Sequence, residues 1–219
     1  MKFGIVVFPG SNCDRDMQDT LQQGMNKEVI MLWHKDKDLS MFGKDDCIVL
    51  PGGFSFGDYL RCGAIAHLSP MMQSVVSFAN SGGKVLGVCN GFQILCESGL
   101  LPGALLPNGN QKFVCKNIHL KSNNGAIYKI PVAHGDGRYF ADESTLDNLE
   151  RNNQVLYYYC DEQGNIDHSF NPNHAIRNIA GIRNREGNIF GMMPHPERAA
   201  SAELGNTDGL KIFEELGLN

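Results

Sequence analysis

Several signals that define other protein classes are missing from this chain of 219 residues. No apolar run approaches the ~20 residues of a membrane-spanning helix, and the apolar part of the N-terminal segment is too short to predict a signal peptide. The net charge is −5 and no dense cluster of Lys and Arg occurs, which argues against nucleic-acid binding. We therefore expect neither a membrane nor a nucleic acid as a partner.

The seven cysteines do not follow the patterns of disulfide or zinc proteins. Their number is odd, no CxxC pair occurs, and no Cys/His spacing matches a zinc site. This predicts a reduced, cytoplasmic protein with mostly structural thiols and no bound metal. A GxxxxGK[ST] phosphate loop is also missing, so we expect no ATP site and no cofactor in this chain.

Short apolar segments rich in β-branched residues alternate with helical patterns in the first half of the chain. We predict strands at 2–8, 27–33, 46–52 and 85–88, with helices at 13–23, 69–80 and 91–98. The continuous apolar runs predict strands covered on both faces, as in a parallel sheet between helices. This alternation of strands and helices is typical of an open α/β sheet.

The pattern changes after residue 111. We predict strands within 112–122, 125–135 and 154–160, a hairpin at 179–194 and an amphipathic helix at 207–217. No repeat or linker divides the chain. The sequence therefore predicts a single α/β domain over residues 1–219, with an open, mostly parallel central sheet flanked by helices on both faces and an antiparallel addition.

One cysteine is distinguished by its neighbours. Cys89 follows the strand VLGV, precedes a helix, and has a glycine two residues away on either side. This G-x-C-x-G spacing is the same as that of the G-x-S-x-G nucleophile elbow, where a strained strand-to-helix turn exposes the nucleophile. The helix N-terminus would favour the thiolate and offer the Asn90 N–H to an oxyanion. A buried structural thiol explains the same spacing; Cys96, in mid-helix, is expected to be inert.

A thiolate needs a base, and the segment PHPE offers one. The prolines are expected to keep this segment extended, so that His195 and Glu197 point to the same side. A carboxylate that orients a base facing a thiol is the arrangement of a catalytic triad, although a proline-rich surface turn is the alternative. Gly52 and Gly53 follow the third strand and could turn N–H groups toward a neighbouring strand end, but Pro-Gly-Gly more commonly forms an ordinary turn.

The motifs LPGG, GVCNGFQ and PHPE, in this order, resemble the class I (triad-type) glutamine amidotransferases. The resemblance implies that Cys89 attacks the side-chain amide of glutamine, with His195 as base and then acid and Glu197 as its orienting group. It also implies an oxyanion hole made by the N–H groups of Gly53 and Asn90. Contacts to glutamine are implied for Gly52, Gln93, His134 and Gly135.

Longer segments narrow the resemblance. FPGSNCDRD, PGGFSFGDYLRCGAIA, GVCNGFQILCESGLLPGALLPN, AHGDGRY and GMMPHPER are similar to the glutaminase subunits of phosphoribosylformylglycinamidine synthase, which acts in purine biosynthesis. This family implies that ammonia passes to a separate synthetase subunit, which uses ATP and Mg, often with a third small subunit. Asp136 stands where relatives often carry glutamate. Cys13 is expected in a turn and helix cap, with a second reactive thiol as the alternative. Asp58 and Arg61 could order the oxyanion loop or contact the synthetase subunit, with a surface ion pair as the alternative.

Three other functions fit parts of the sequence. The chain could be the glutaminase subunit of a different amidotransferase. A cysteine hydrolase or peptidase could share the sheet and the elbow, although Gln93 and the HPE segment argue against it. A non-catalytic binding subunit is the last alternative, but it would not need an intact set of Cys89, His195 and Glu197.

Overall fold

The computed structural model describes residues 1–219 and contains eleven strands and five α-helices. The strands are β1 (Lys2–Val7), β2 (Glu28–Trp33), β3 (Cys47–Leu50), β4 (Lys84–Val88), β5 (Ala104–Leu106), β6 (Val114–Ser122), β7 (Ile127–His134), β8 (Arg138–Phe140), β9 (Val155–Cys160), β10 (Ile179–Arg183) and β11 (Ile189–Met192). The helices are α1 (Asp14–Asp19), α2 (Pro70–Asn80), α3 (Asn90–Glu97), α4 (Glu143–Arg151) and α5 (Asp208–Glu215). None of these helices combines the length and the apolar character that a membrane crossing requires.

Nine strands share one sheet in the order β2-β1-β3-β4-β11-β10-β9-β6-β7. The strands from β2 to β11 pair in parallel, and the remaining strands continue the same sheet with antiparallel pairing. The small sheet of β5 and β8 is separate. The expected α/β fold with an antiparallel addition is confirmed, and most of that addition extends the central sheet.

Burial explains the sequence pattern of the central strands. Every residue of β3 is buried, and β4 is buried except at its first residue. Helices α2 and α3 contact β4, so the continuous apolar runs are covered as the pattern predicted. The edge strand β2 is only partly buried, with both its first and last residues exposed.

Strand pairing brings the sequence motifs to one edge of the sheet. Gly87 of β4 pairs with Leu50 of β3 on one side and with Gly191 of β11 on the other. Because these three strands are parallel, the segments that follow them emerge at the same edge. The glycine loop after β3, Cys89 after β4 and His195 after β11 are therefore neighbours, although they are far apart in the sequence.

Several parts of the secondary structure differ from the sequence prediction, among them the short strands β5 and β8, which the sequence pattern does not predict. The helix expected at 13–23 is present as α1, followed by a wider π-helical turn over Thr20–Gly24. Helix α4 was not predicted, because it buries only Leu146 and Leu149 and its apolar stripe is short. Its cap is the signal that could have located it: the Asp142 side chain accepts the Thr145 N–H at the N-terminus.

Candidate active site

Cys89 occupies a strained turn between β4 and α3. Its φ of 51° and ψ of −106° lie in a region that residues other than glycine rarely adopt. The turn is fixed by backbone bonds: the Cys89 N–H donates to the Met192 carbonyl at 2.8 Å, and the Cys89 carbonyl accepts the Phe92 N–H at 3.0 Å. The sulfur lies 3.7 Å from the Ala133 carbonyl oxygen and borders a cavity. This is the geometry of a nucleophile elbow.

The two glycines that flank the cysteine are required by close packing. A Cβ on Gly91 would lie 1.8 Å from the Leu50 carbonyl oxygen, and a Cβ on Gly87 would lie 2.6 Å from the Gly91 carbonyl oxygen. Side-chain carbons do not approach backbone oxygens this closely, so α3 reaches the sheet only because both positions lack a side chain. The glycines thereby set the position of Cys89 at the start of the helix.

His195 and Glu197 form a buried pair. The ring Nδ1 lies 2.6 Å from Glu197 Oε1, and the two side chains are 1% and 0% exposed. Burial lowers the pKa of His195, but the charge of Glu197, followed by that of Cys89, outweighs it and holds the pKa well above its usual value of 6.5. The second ring nitrogen, Nε2, is buried without a hydrogen-bond partner. It is therefore available to exchange a proton with a thiol.

This pair is produced by a turn, so the expectation of an extended PHPE segment is wrong. Residues Pro196–Ala199 form a 3-10 helix with His195 as the preceding cap residue. Proline suits the first position of a helix because its φ is already fixed, and the tight turn brings Glu197 onto the ring. The segment is anchored by the His195 N–H, which donates to the Pro131 carbonyl at 2.9 Å, and by the Thr20 hydroxyl, which donates to the Glu197 carbonyl at 2.9 Å.

Gly53 and Asn90 place N–H groups at the ends of two strands beside Cys89. Gly53 lines the same cavity as the cysteine, and its N–H donates no hydrogen bond in the structure. Asn90 begins α3, so its N–H has no acceptor within the helix. The Asn90 side chain accepts the Ser55 N–H at 3.2 Å and thereby links the glycine loop to the helix. Both N–H groups suit an oxyanion that forms beside the sulfur.

The cavity in front of Cys89 has a volume of about 420 Å³, a size suited to a small molecule. Its rim includes three exposed apolar side chains, Phe54, Leu60 and Phe113. A larger cavity of about 810 Å³ borders Glu197 and the segment 200–204. Its lining contains no cysteine or histidine, so the smaller cavity is the candidate active site.

The comparisons with known proteins agree with this geometry. The model of the CobB/CobQ-like glutamine amidotransferase domain matches residues 1–208. Phosphoribosylformylglycinamidine synthase subunits PurQ from Moorella thermoacetica and Aquifex aeolicus are each 50% identical to this chain, covering 99% of it and 95% and 99% of their own lengths. A solved structure of PurLQS from Thermotoga maritima matches with a TM-score of 0.83 and 38% identity, over 98% of this chain and 96% of that one.

The chain belongs to the PurQ family of glutamine amidotransferases. The resemblance to the glutaminase subunits of phosphoribosylformylglycinamidine synthase is therefore confirmed. Several of the residues that the motifs assigned to substrate binding have other contacts within the protein.

Gly52 lies behind the base and does not line the cavity. A Cβ at this position would be 2.7 Å from His195 Cε1 and 3.0 Å from Cys13 Sγ. Gly52 therefore has a packing role, because only glycine leaves room for the imidazole of this PurQ-family site, and its contact with glutamine stays a prediction. The neighbouring Gly53 is the member of the pair that reaches the cavity.

Gln93 supports the cavity wall from α3. Its Nε2 donates to the Asp136 carbonyl at 2.6 Å, and its Oε1 accepts from Asn90 Nδ2 at 2.8 Å. Both ends of the side chain are therefore occupied by the protein, although Gln93 also lines the cavity. Asp136 accepts a further bond from the Cys62 thiol, 3.2 Å from its Oδ2. These contacts join the loop after β7 to the helix that carries the nucleophile.

The loop after β7 combines a buried imidazole with a cavity wall. Burial, and to a smaller extent the charge of His195, lowers the pKa of His134 to about 4, so this ring is neutral near pH 7. His134 Nδ1 lies 3.1 Å from Asn108 Oδ1. Gly135 and Asp136 line the cavity beside it. His134 itself also lines the cavity, so it both orders the loop and contributes to the surface that a bound molecule would meet.

Two buried asparagines that the sequence did not single out hold this loop. Asn108 Oδ1 accepts the Gly137 N–H at 3.0 Å, and Asn108 Nδ2 donates to the His134 carbonyl at 2.9 Å. Asn173 Nδ2 donates to the Gly137 carbonyl at 2.7 Å and to the Tyr159 hydroxyl at 3.1 Å. Of the two, only Asn108 carries a signal in the sequence, because it is the last residue of one of the segments that resemble the family.

Asp58 and Arg61 both tie the loop after Gly53 to α3. Asp58 Oδ1 accepts from Asn90 Nδ2 at 3.4 Å, and Arg61 forms two bonds of 2.6 Å to Glu97. The Arg61 side chain is 68% exposed, so this ion pair orders the loop with little gain in stability.

Three side chains of the types that bind metals lie close together around the His195 ring. The ligand atoms of Cys13, His195 and Glu197 all lie within 4.8 Å of one another. No zinc spacing is visible in the sequence, because Cys13 follows β1 and the other two residues follow β11. The prediction of no bound metal was based on sequence spacing, which does not reveal that these three side chains lie together.

Proposed function

We propose that this PurQ-family chain hydrolyses glutamine to glutamate and ammonia through a thioester on Cys89. The observation that carries the proposal is a cysteine on a strained elbow at the same sheet edge as a His195 ring that Glu197 holds at 2.6 Å. The relatives are named for phosphoribosylformylglycinamidine synthase. The ammonia would accordingly convert formylglycinamide ribonucleotide to formylglycinamidine ribonucleotide in purine biosynthesis.

The first half-reaction forms the thioester. The Cys89 thiolate attacks the γ-carboxamide carbon of glutamine, and the negative charge on the oxygen meets the N–H groups of Gly53 and Asn90. The raised pKa of His195 favours a protonated ring at this stage. The ring gives its proton to the amide nitrogen, the C–N bond breaks, and ammonia leaves.

The second half-reaction frees the cysteine. The neutral His195 ring takes a proton from water as the water oxygen attacks the thioester carbon. The C–S bond then breaks and glutamate is released, while the charge of Glu197 stabilises the imidazolium. The sum is glutamine and water to glutamate and ammonia, and we propose that no cofactor of this chain takes part.

We propose that the whole chain, residues 1–219, acts as one domain in a larger complex. One relative is solved as the PurLQS assembly. By this relationship a separate synthetase subunit, using ATP and Mg²⁺, would receive the ammonia, with a third small subunit present. All seven cysteines are free, which favours the reducing cytoplasm as the location.

A glutamine analogue that alkylates thiols tests the nucleophile. With 6-diazo-5-oxo-norleucine we expect a single adduct by intact mass, lost in Cys89→Ser and kept in Cys96→Ser. Cys96 is a matched control because it lies in the same helix and burial raises the pKa of its thiol far above the usual range. Labelling that persists in Cys89→Ser, or that spreads over several cysteines, contradicts the proposal.

The acceptor of the ammonia needs a separate test. The synthetase and small subunits are assayed for ATP-dependent amination of formylglycinamide ribonucleotide, with and without this chain. We expect glutamine to serve as nitrogen donor only when the chain is present, and ammonium salts to serve without it. A chain that hydrolyses glutamine but never supports this amination would be a glutaminase for another acceptor.

A further inference from the structure

Cys13 is a buried thiol that the proposed reaction does not use. It is 2% exposed, and its Sγ lies 3.2 Å from Asn12 Oδ1 and 3.2 Å from Arg198 Nη2. On another side it borders the base, because a Cβ on Gly52 would approach both Cys13 Sγ and His195 Cε1 within 3.0 Å. The sulfur is therefore packed close to the imidazole.

The distances around this sulfur fit a small tetrahedral site. The donor atoms of Cys13, His195 and Glu197 lie within 4.8 Å of one another. Ligands bound to tetrahedral zinc at about 2.0–2.3 Å are separated by about 3.3–3.8 Å. The spacing of 2.6 Å between the ring Nδ1 and Glu197 Oε1 would thus have to widen by less than about 1 Å, and the longest spacing would have to shorten by a similar amount.

Two polar atoms of the group are left unsatisfied by the fold. His195 Nε2 and Glu197 Oε2 are both buried without a hydrogen-bond partner. Buried polar atoms in proteins are nearly always paired, so atoms without a partner mark a place where a ligand can be gained. These orphaned atoms belong to the same side chains that lie beside the Cys13 sulfur.

We propose that Cys13, His195 and Glu197 form an inhibitory site for a thiophilic divalent cation such as Zn²⁺. Sulfur, imidazole nitrogen and carboxylate oxygen are ligands that zinc accepts together, whereas Mg²⁺ and Ca²⁺ prefer oxygen alone. On binding, the Cys13 thiol and the protonated His195 ring each release one proton to the buffer, and the cation takes the lone pair that this leaves on the ring. The cation binds Nδ1, the ring nitrogen that faces Glu197, and so displaces the hydrogen bond that orients the ring.

The charges around the site balance once the cation is bound. The thiolate of Cys13 and the carboxylate of Glu197 together neutralise a divalent cation. Arg198, which borders the sulfur, is already paired with Asp16 at 3.0 Å. The buried group therefore carries no excess charge, which keeps the cost of burying it low.

Cobalt(II) binding to the full chain tests the ligand set without using activity. The experiment is done in Cys89→Ser, so that the sulfur of the nucleophile cannot act as a ligand. We expect a thiolate-to-cobalt charge-transfer band, which is lost when Cys13→Ser is added and is kept when Cys115→Ser is added. Cys115 is an exposed thiol on β6 and serves as the matched control. A band that is missing in Cys89→Ser, or that survives Cys13→Ser, overturns the proposed site.

Inhibition of the intact chain tests the consequence, and this part rests on the proposed function. We expect Zn²⁺ to suppress glutamine hydrolysis, a chelator to restore it, and Cys13→Ser to raise the half-inhibitory concentration at least about 10-fold. Cys13→Ala, checked by thermal melting, serves as the second variant, and Cys115→Ser should behave as the wild type. Unchanged inhibition in both Cys13 variants overturns the site. No hydrolysis even without metal would instead refute the proposed function, and the cobalt spectra would still decide the site.

Discussion

The parallel and antiparallel parts of the sheet position their functional residues by different means. In the parallel part, Cys89 and His195 follow paired strands, so the register of these strands brings them to one edge. In the antiparallel part, the loop after β7 is held by hydrogen bonds from distant side chains, among them Gln93, Asn108 and Asn173. We therefore expect substitutions in the first part to impair the chemistry, and substitutions in the second part to loosen substrate binding.

The largest effect is expected for Glu197→Gln. The amide can still hold the ring but lacks the charge that stabilises the imidazolium, so kcat should fall on the order of 10³-fold. Steady-state glutamate release measures this, with Glu203→Gln as the control because Glu203 is exposed and borders only the larger cavity. A fall of less than about 10-fold would show that the pair is not part of the catalytic machinery.

The same pair should make stability depend on pH. The pKa of His195 is raised above its unfolded value of about 6.5, so the contribution of the pair is complete below that pH and is lost as the pH rises through the folded pKa. The difference in unfolding free energy between wild type and Glu197→Gln should be largest below the unfolded pKa of about 6.5 and should shrink as the pH rises above it. Urea unfolding over a series of pH values checks the sign, and a difference that grows with pH contradicts it.

The next largest effect is expected for Gly91→Ala. The added Cβ would lie 1.8 Å from the Leu50 carbonyl oxygen, so α3 has to move away from β3. We expect a loss of about 3 kcal/mol of unfolding free energy, together with loss of activity because Cys89 moves with the helix. Gly43→Ala is the control, since its Cβ would meet nothing closer than 3.8 Å and should change stability little. A fully active Gly91→Ala variant would contradict the conclusion that close packing of α3 against β3 requires a glycine at this position.

The difference between the two parts also explains what the sequence could and could not predict. Cys89 and the His195–Glu197 pair were found because glycine spacing and local motifs mark them, even though the PHPE segment is a turn and is not extended. Asn108 and Asn173 could not be found by spacing, because a buried asparagine is defined by its partners, and those in the loop after β7 lie 26 to 39 positions away. The packing role of Gly52 could not be predicted, since its neighbours, Cys13 and His195, follow other strands.

A smaller effect is expected for Asn108→Ala. The change leaves the Gly137 N–H and the His134 carbonyl without their buried partner, which costs about 1–3 kcal/mol. We expect KM for glutamine to rise about 10-fold with a smaller change in kcat, because the change destabilises the loop after β7 and leaves the turn at Cys89 intact. Asn110→Ala, at an exposed position two residues later, is the control. An unchanged KM with a lowered kcat would mean that this loop acts on the chemistry.

The smallest effect is expected for Arg61→Ala. Its ion pair with Glu97 has good geometry, but the arginine side chain is 68% exposed, so water screens the attraction. We expect a loss below about 1 kcal/mol that decreases further at high salt, and a double-mutant cycle with Glu97→Ala measures the coupling. Glutamine hydrolysis by the isolated chain should change little, because Cys89 is placed by strand register. A coupling above about 2 kcal/mol, or a large loss of hydrolysis, would show that the loop after Gly53 depends on side-chain bonds, as the loop after β7 does. The contrast between the two parts of the sheet would then fail.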